Sequence, residues 1–201
     1  MDLFGHDPAA NLLPCDGRVN YYGPIFDPAE AQRYLEALLS STRWEHDEVV
    51  IFGKRIVTTR KVAWYGDSQY SYTYSGTTKQ ARVWTAHLRE LKARVEKTSG
   101  ETFNSCLLNL YHHGDEGMSW HSDDERTLVR DAAIASVSFG AERKFAFKHK
   151  QTKQTVSLTL ENGSVLVMKD ATQTHWLHSL PKTKKVREPR INLTFRTILT
   201  E

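Results

Sequence analysis

The sequence predicts a mainly β protein of the α+β kind, in which supporting helices near the N-terminus cover antiparallel sheets. Two segments, 27–39 and 81–99, carry apolar residues at helical spacing. After residue 104 the pattern changes to short runs of β-branched and aromatic residues separated by turn residues. Many short strands of this kind favour a closed or two-layered antiparallel fold.

Length and composition narrow the class of protein. The 201 residues suffice for a single domain that buries a core without disulfides. The two cysteines, Cys15 and Cys106, lie far apart, which argues against a disulfide framework and favours a reducing compartment. No apolar run has the length of a membrane span, and the first residues lack a signal-peptide pattern. We therefore expect a monomer with no membrane partner, in the cytoplasm or, in a eukaryote, the nucleus.

The single domain, residues 1–201, has three parts in this interpretation. Residues 1–24 contain several prolines and glycines and are expected to form an irregular arm. Residues 25–103 are expected to hold the helices and hairpins that precede the β core. Residues 104–201 are expected to form the β core, with strands at 106–111, 133–139, 144–148, 155–160, 164–168, 175–180 and 190–198.

Both predicted helices have recognisable ends. Asp27 and Pro28 supply an N-cap and a first-turn proline for the first helix. The second helix ends at Gly100 and is expected to bury an apolar face that includes Val83 and His87.

Residues 48–57 have the composition of a tight hairpin around Gly53. Phe52 is expected at the tip, beside two cationic residues. It either folds back as a local hydrophobic plug or contacts a partner, and the sequence leaves both interpretations open. Tyr72 and Tyr74 share a face if their segment is extended.

His121 and Asp123 are the first candidate metal ligands, because an extended segment would point both side chains the same way. A histidine from a distant strand would complete a set of two histidines and one carboxylate, which suits non-haem Fe(II). A surface loop that contains one histidine and two acidic residues is the alternative.

The last predicted strand alternates strictly between apolar residues and the polar residues Arg190, Asn192, Thr194 and Arg196. An ordinary half-exposed strand with a solvated arginine face would have the same pattern. His175 and His178 precede this strand and are candidates for the distant ligand.

Five motifs occur together in this sequence: Asn109-Leu-Tyr111, His121-Ser-Asp123-Asp-Glu125, Ala135-Ser-Val-Ser-Phe-Gly140, His178-Ser-Leu-Pro181 and Arg190-Ile-Asn192-Leu-Thr-Phe-Arg196. In this order they resemble the AlkB family of Fe(II)- and 2-oxoglutarate-dependent nucleic-acid dealkylases, and most of all its DNA-acting members. The resemblance extends from about Phe52 to the C-terminus.

The resemblance implies a double-stranded β-helix, or jelly roll, with His121, Asp123 and His178 as iron ligands. It also implies that Arg196 holds the distal carboxylate of 2-oxoglutarate through a bidentate contact. The other residues that it implies for the cosubstrate pocket are Asn109, Tyr111, Arg190 and Asn192.

The implied activity is repair of N-alkylated DNA bases such as 1-methyladenine and 3-methylcytosine. The reaction uses Fe(II), O₂ and 2-oxoglutarate and releases formaldehyde, succinate and CO₂. Methylation makes these bases cationic, which favours a pocket of aromatic rings and a carboxylate around the flipped base. The expected substrate contacts are Phe52, Arg60, Tyr72, Tyr74 and Glu125.

Each residue of the expected base pocket also has an alternative without function: core packing for Tyr72 and Tyr74, and a solvated acidic side chain for Glu125. The alternative functions are the same chemistry on RNA, and a jelly-roll protein that binds metal without turnover.

Overall fold

The computed structural model describes residues 7–51, 54–74 and 77–199. The elements of these ranges are β1 (Arg18–Pro24), α1 (Pro28–Ser41), β2 (Glu45–Ile51), β3 (Lys54–Gly66), β4 (Ser71–Tyr74), β5 (Thr77–Gln80), β6 (Arg82–Val83), α2 (Ala86–Ser99), β7 (Ser105–Tyr111), β8 (Met118–His121), β9 (Ile134–Gly140), β10 (Arg143–His149), β11 (Thr155–Leu160), β12 (Ser164–Lys169), α3 (Thr172–His175), β13 (Trp176–Leu180) and β14 (Arg190–Arg196).

Within these ranges, the main sheet has the order β1-β12-β9-β14-β7-β3-β2 with β6 beside β3, and the minor sheet has the order β11-β10-β13-β8. Strands β4 and β5 pair with each other. One apolar cluster lies between the main sheet and the helices. A second cluster lies between the two sheets. The prediction of a mainly β, layered antiparallel fold is confirmed.

Strand β14 lies inside the main sheet, between β7 and β9. Its residues Ile191, Leu193 and Phe195 are completely buried in the cluster that contains the helices. Its alternate residues, from Arg190 to Arg196, face the space between the sheets. The alternation therefore marks a strand that is covered on both faces, and the interpretation as a solvated arginine face is wrong.

The first helix forms where the sequence predicts it, since Asp27 accepts a hydrogen bond from the backbone N–H of Glu30 at 2.8 Å. The second helix begins later than predicted, because Thr85 caps it and the upstream residues Arg82–Val83 form β6. Val83 and His87 are consequently exposed, and their prediction as buried residues is wrong. Every helix of the described ranges is too short or too polar to cross a membrane.

The interpretation of residues 1–24 as an irregular arm is wrong for residues 18–24, which form β1 on the edge of the main sheet next to β12. Asn11 accepts hydrogen bonds from the backbone N–H groups of Leu13 and Val19, which holds the preceding loop against this strand. Gly23 lies at a register shift and Pro24 ends the strand. These two residues, which suggested irregular structure, therefore belong to an interrupted edge strand.

Replacement of Leu193 by alanine should lower the free energy of unfolding by roughly 2–5 kcal/mol, because it leaves a cavity in a closely packed core. Leu199→Ala is the matched control, since this leucine is 54% exposed and its truncation should change stability by less than about 0.5 kcal/mol. Urea denaturation of both variants measures the difference. Similar losses in the two would contradict the position of β14 in the core.

Candidate active site

The two sheets enclose a pocket whose walls come from both of them. His121 and His178 pair directly across β8 and β13 of the minor sheet, and their rings lie 4.2 Å apart between centroids. Strand β8 ends at His121, and the chain that follows brings Asp123 to 3.8 Å from Nε2 of that histidine. The ligand atoms of these three residues all lie within 4.8 Å of one another.

The protonation states in this cluster are those that bind a metal. The Nδ1 atom of His121 lies 2.8 Å from the Ser119 carbonyl, which requires a proton on Nδ1 and leaves the Nε2 lone pair free. Burial lowers the pKa of His178 to about 4, so this imidazole is neutral at pH 7. Burial alone would raise the pKa of Asp123, but Arg196 and the two histidines lower it below the ordinary value. An anionic carboxylate and two imidazole nitrogens form a donor set that fits Fe(II).

Arg196 lies beside the metal ligand. Its Nη2 is 3.0 Å from Oδ2 of Asp123, and its Nη1 is 3.6 Å from Oε1 of Glu125. Burial lowers the pKa of Arg196, but the two carboxylates outweigh burial and raise it overall. This position at the metal end argues against the expected contact of Arg196 with the distal carboxylate of 2-oxoglutarate.

Arg190, in contrast, is buried without a carboxylate partner among the described residues. Its Nη2 donates to the side-chain oxygens of Ser138 and Asn192, both at 2.9 Å, and its guanidinium lies 5.6 Å from the Tyr111 ring centroid. Within the described part of the chain, its Nε has no hydrogen-bond partner. Burial lowers the pKa of Arg190 to about 10, so the group is still a cation at pH 7. A buried cation of this kind favours an anionic ligand.

The other residues predicted for the cosubstrate also line this pocket. Asn192 accepts from Ser136 at 2.8 Å and donates to Thr194 at 2.8 Å, which fixes its amide beside Arg190. The Oδ1 atom of Asn109 is buried and has no hydrogen-bond partner among the described residues. The structure therefore brings all five predicted cosubstrate residues to one pocket with the metal cluster: Asn109, Tyr111, Arg190, Asn192 and Arg196.

Two of the predicted substrate contacts, Arg60 and Glu125, have different surroundings in the structure. Arg60 is buried, forms an ion pair with Asp47 and donates to the sulfur of Met118 at 3.3 Å, which argues against a phosphate contact. Glu125 lies beside Arg196, and its Oε2 has no hydrogen-bond partner among the described residues.

The remaining three substrate contacts stay predictions. Tyr72 and Tyr74 belong to β4. Phe52 lies outside the described residues.

Sequence reasoning missed Gln173, which accepts a hydrogen bond from the backbone N–H of Asp123 at 2.9 Å. The two residues are 50 positions apart, and no local pattern connects them. It also missed Phe145, whose ring lies 5.6 Å from that of His178 and lines the pocket. Phe145 and Phe147 alternate on β10 with Lys144, Ala146 and Lys148, and that pattern could have indicated inward aromatic side chains.

Three candidate metal ligands and a buried cation in one pocket between two antiparallel sheets are the features of 2-oxoglutarate- and iron-dependent oxygenases. Residues 18–196 match the family model of the 2OG-Fe(II) oxygenase superfamily. The chain belongs to this superfamily and, within it, to the AlkB family of dealkylases, as the following relatives show.

A protein named DNA oxidative demethylase ALKBH2 from Bos taurus is 41% identical to this chain, over 94% of the chain and 70% of that protein. The human protein named alpha-ketoglutarate-dependent dioxygenase alkB homolog 3 is 40% identical, over 90% of this chain and 66% of its own length. The solved structure of OsALKBH1 shares 13% identity, covers 89% of this chain and 97% of that chain, and has a TM-score of 0.61. The predicted jelly-roll fold is confirmed.

Acidification should destabilise the metal-free protein partly through His178. An unfolded histidine titrates near pH 6.5, but this one titrates near pH 4 when folded. Between these values the unfolded chain binds more protons, so stability falls as the pH falls. From pH 7 to pH 5 the His178 contribution is roughly 1–2 kcal/mol.

Urea denaturation with a chelator present, at pH 7 and pH 5, measures this loss. His178→Asn should reduce the loss, whereas His87→Asn, at an exposed histidine, should leave it unchanged. An unaltered pH dependence in His178→Asn would contradict the neutral state of this imidazole.

Proposed function

We propose that this protein repairs DNA by oxidative removal of methyl groups from the ring nitrogens of bases such as 1-methyladenine and 3-methylcytosine. Fe(II) is the metal, and O₂ and 2-oxoglutarate are the cosubstrates. The names and identities of its relatives support a DNA substrate. DNA is found in the cytoplasm of a bacterium and the nucleus of a eukaryote, and we propose that the protein acts there as a monomer.

One observation carries the proposal: a single pocket combines the cluster of His121, Asp123 and His178 with the buried cation of Arg190, which no carboxylate of the described residues pairs. The cosubstrate 2-oxoglutarate has an oxo-carboxylate end that chelates a metal and a second carboxylate at its other end. In this proposal the cluster holds the iron and Arg190 binds the second carboxylate. A binding protein without turnover would have no need for this arginine.

The protein's own residues then have separate tasks. His121, Asp123 and His178 hold the iron, and Arg196 keeps Asp123 ionised and in place. Asn192 orients the Arg190 guanidinium through its Oδ1 atom. Bound iron would supply the oxidation of the N-methyl group by O₂, in which one oxygen atom leaves with the methyl carbon as formaldehyde and the other enters 2-oxoglutarate as it becomes succinate and CO₂.

Substrate recognition completes the proposal. Methylation at N1 of adenine or N3 of cytosine gives the ring a positive charge, so a free carboxylate oxygen near the pocket favours the damaged base. The Oε2 atom of Glu125 supports this role, since no group in the described ranges forms a hydrogen bond with it. We propose that Tyr72 and Tyr74 stack on the flipped base and that Phe52 fills the gap left in a duplex.

The direct test is release of formaldehyde from oligonucleotides that contain one 1-methyladenine, as single strands and as duplexes, with Fe(II) and 2-oxoglutarate present. We expect turnover by the wild type and none by Asp123→Ala, because two histidines alone do not hold iron in a reactive geometry. Matched RNA oligonucleotides serve as the comparison. Faster turnover of the RNA would overturn the assignment of DNA as substrate.

Arg190→Lys should raise the KM for 2-oxoglutarate roughly tenfold or more, because a point charge replaces the planar fork in a buried charge-assisted contact. The effect on kcat at saturating cosubstrate should be smaller. Arg187→Lys is the matched control, since Arg187 is exposed and should leave the KM unchanged. A normal KM in Arg190→Lys, measured by succinate formation, would exclude the contact with the distal carboxylate.

A further inference from the structure

Residues 122 and 123 follow the end of β8 and belong to no strand, although Asp123 is a proposed ligand. The position of this segment therefore depends on hydrogen bonds from elsewhere. Its backbone N–H at Asp123 donates to Oε1 of Gln173 at 2.9 Å. The Ser122 hydroxyl accepts from Nζ of Lys150 at 3.1 Å.

The amide of Gln173 has a defined orientation. Its Nε2 lies 3.3 Å from the sulfur of Met168, a residue that is 3% exposed and lines the pocket. Because Nε2 can only donate and Oε1 can only accept, this contact directs Oε1 to the N–H of Asp123. The backbone carbonyl of Gln173 in turn accepts from Nζ of Lys150 at 2.8 Å.

Gln173 lies in α3, and β13 with His178 follows directly along the chain. One side chain thus connects the segment of Asp123 with the segment that carries His178. Lys150, which follows β10, binds both segments, because its Nζ donates to Ser122 in one and to the Gln173 carbonyl in the other. The two ligand-bearing segments cannot move apart without the loss of these hydrogen bonds.

We propose that Gln173 is a positioning residue of the metal centre, which it preorganises through the backbone of Asp123. This inference rests on the metal centre of the proposed function. Outer partners that orient a metal ligand typically contribute 10–100-fold in metal affinity. Here the partner binds the main chain of the ligand instead of its carboxylate.

The test uses Co(II) as a probe, since its binding and its visible d–d spectrum report affinity and ligand geometry without turnover. Gln173→Met keeps the size of the side chain and removes the acceptor. Gln173→Glu keeps an oxygen acceptor for the N–H of Asp123. Gln154→Met is the matched control, because Gln154 is exposed on the turn between β10 and β11.

We expect Gln173→Met to weaken Co(II) binding roughly tenfold and to alter the d–d spectrum. Gln173→Glu should lie closer to the wild type, and Gln154→Met should equal it. Circular dichroism of the metal-free variants at the same temperature shows that each is folded.

Wild-type affinity and spectrum in a folded Gln173→Met would overturn the inference and would leave the proposed function intact. An equal loss in both Gln173 variants would overturn it too, because the acceptor would then not be the cause. Failure of the wild type to bind Co(II) would instead remove the metal centre and the proposed function with it.

Discussion

The whole molecule depends on the requirement that β14 be covered on both faces. Its apolar residues close the core under α1 and α2, and its polar residues form the floor of the pocket. A change of register by one residue would place Arg190 in the apolar core and Leu193 in the pocket. The alternation of apolar and polar residues along β14 thus determines both the packing of the core and the assembly of the site. A change that disrupts one also disrupts the other.

Electrostatics divides this pocket into two ends. At the metal end, Asp123 and Arg196 offset each other's charge, and the carboxylate remains ionised despite burial. At the other end, Arg190 has neutral oxygens as partners and no carboxylate among the described residues. Two arginines six positions apart on one strand therefore have different tasks. Arg196 pairs with the protein's own carboxylate at Asp123, whereas Arg190 is available to bind an anionic ligand.

Much of this arrangement could be predicted from the sequence, because it depends on short periodic patterns. The seven strands predicted within residues 104–201 occur within a few residues of their expected ranges, whereas β8 was not among them. The motif order, through the family resemblance, groups His121, Asp123 and His178. The task of each arginine could not be predicted, since Arg190 and Arg196 share one face and only the folded chain shows which of them meets Asp123. Gln173 and the edge strand β1 were missed for a related reason, since each depends on a partner that is distant in sequence. Gln173 binds Asp123, 50 residues away, and β1 pairs with β12, more than a hundred residues away.

The strand order also has a consequence for synthesis of the protein. Strand β14 is the last strand of the described residues, yet it lies between β7 and β9, which the ribosome completes much earlier. Until it emerges, these two strands lack the neighbour that joins them and expose unpaired backbone to the cell. The nascent chain must therefore wait for residues 190–196, and a chain that stopped before Arg190 would be an aggregation-prone product in place of a smaller enzyme.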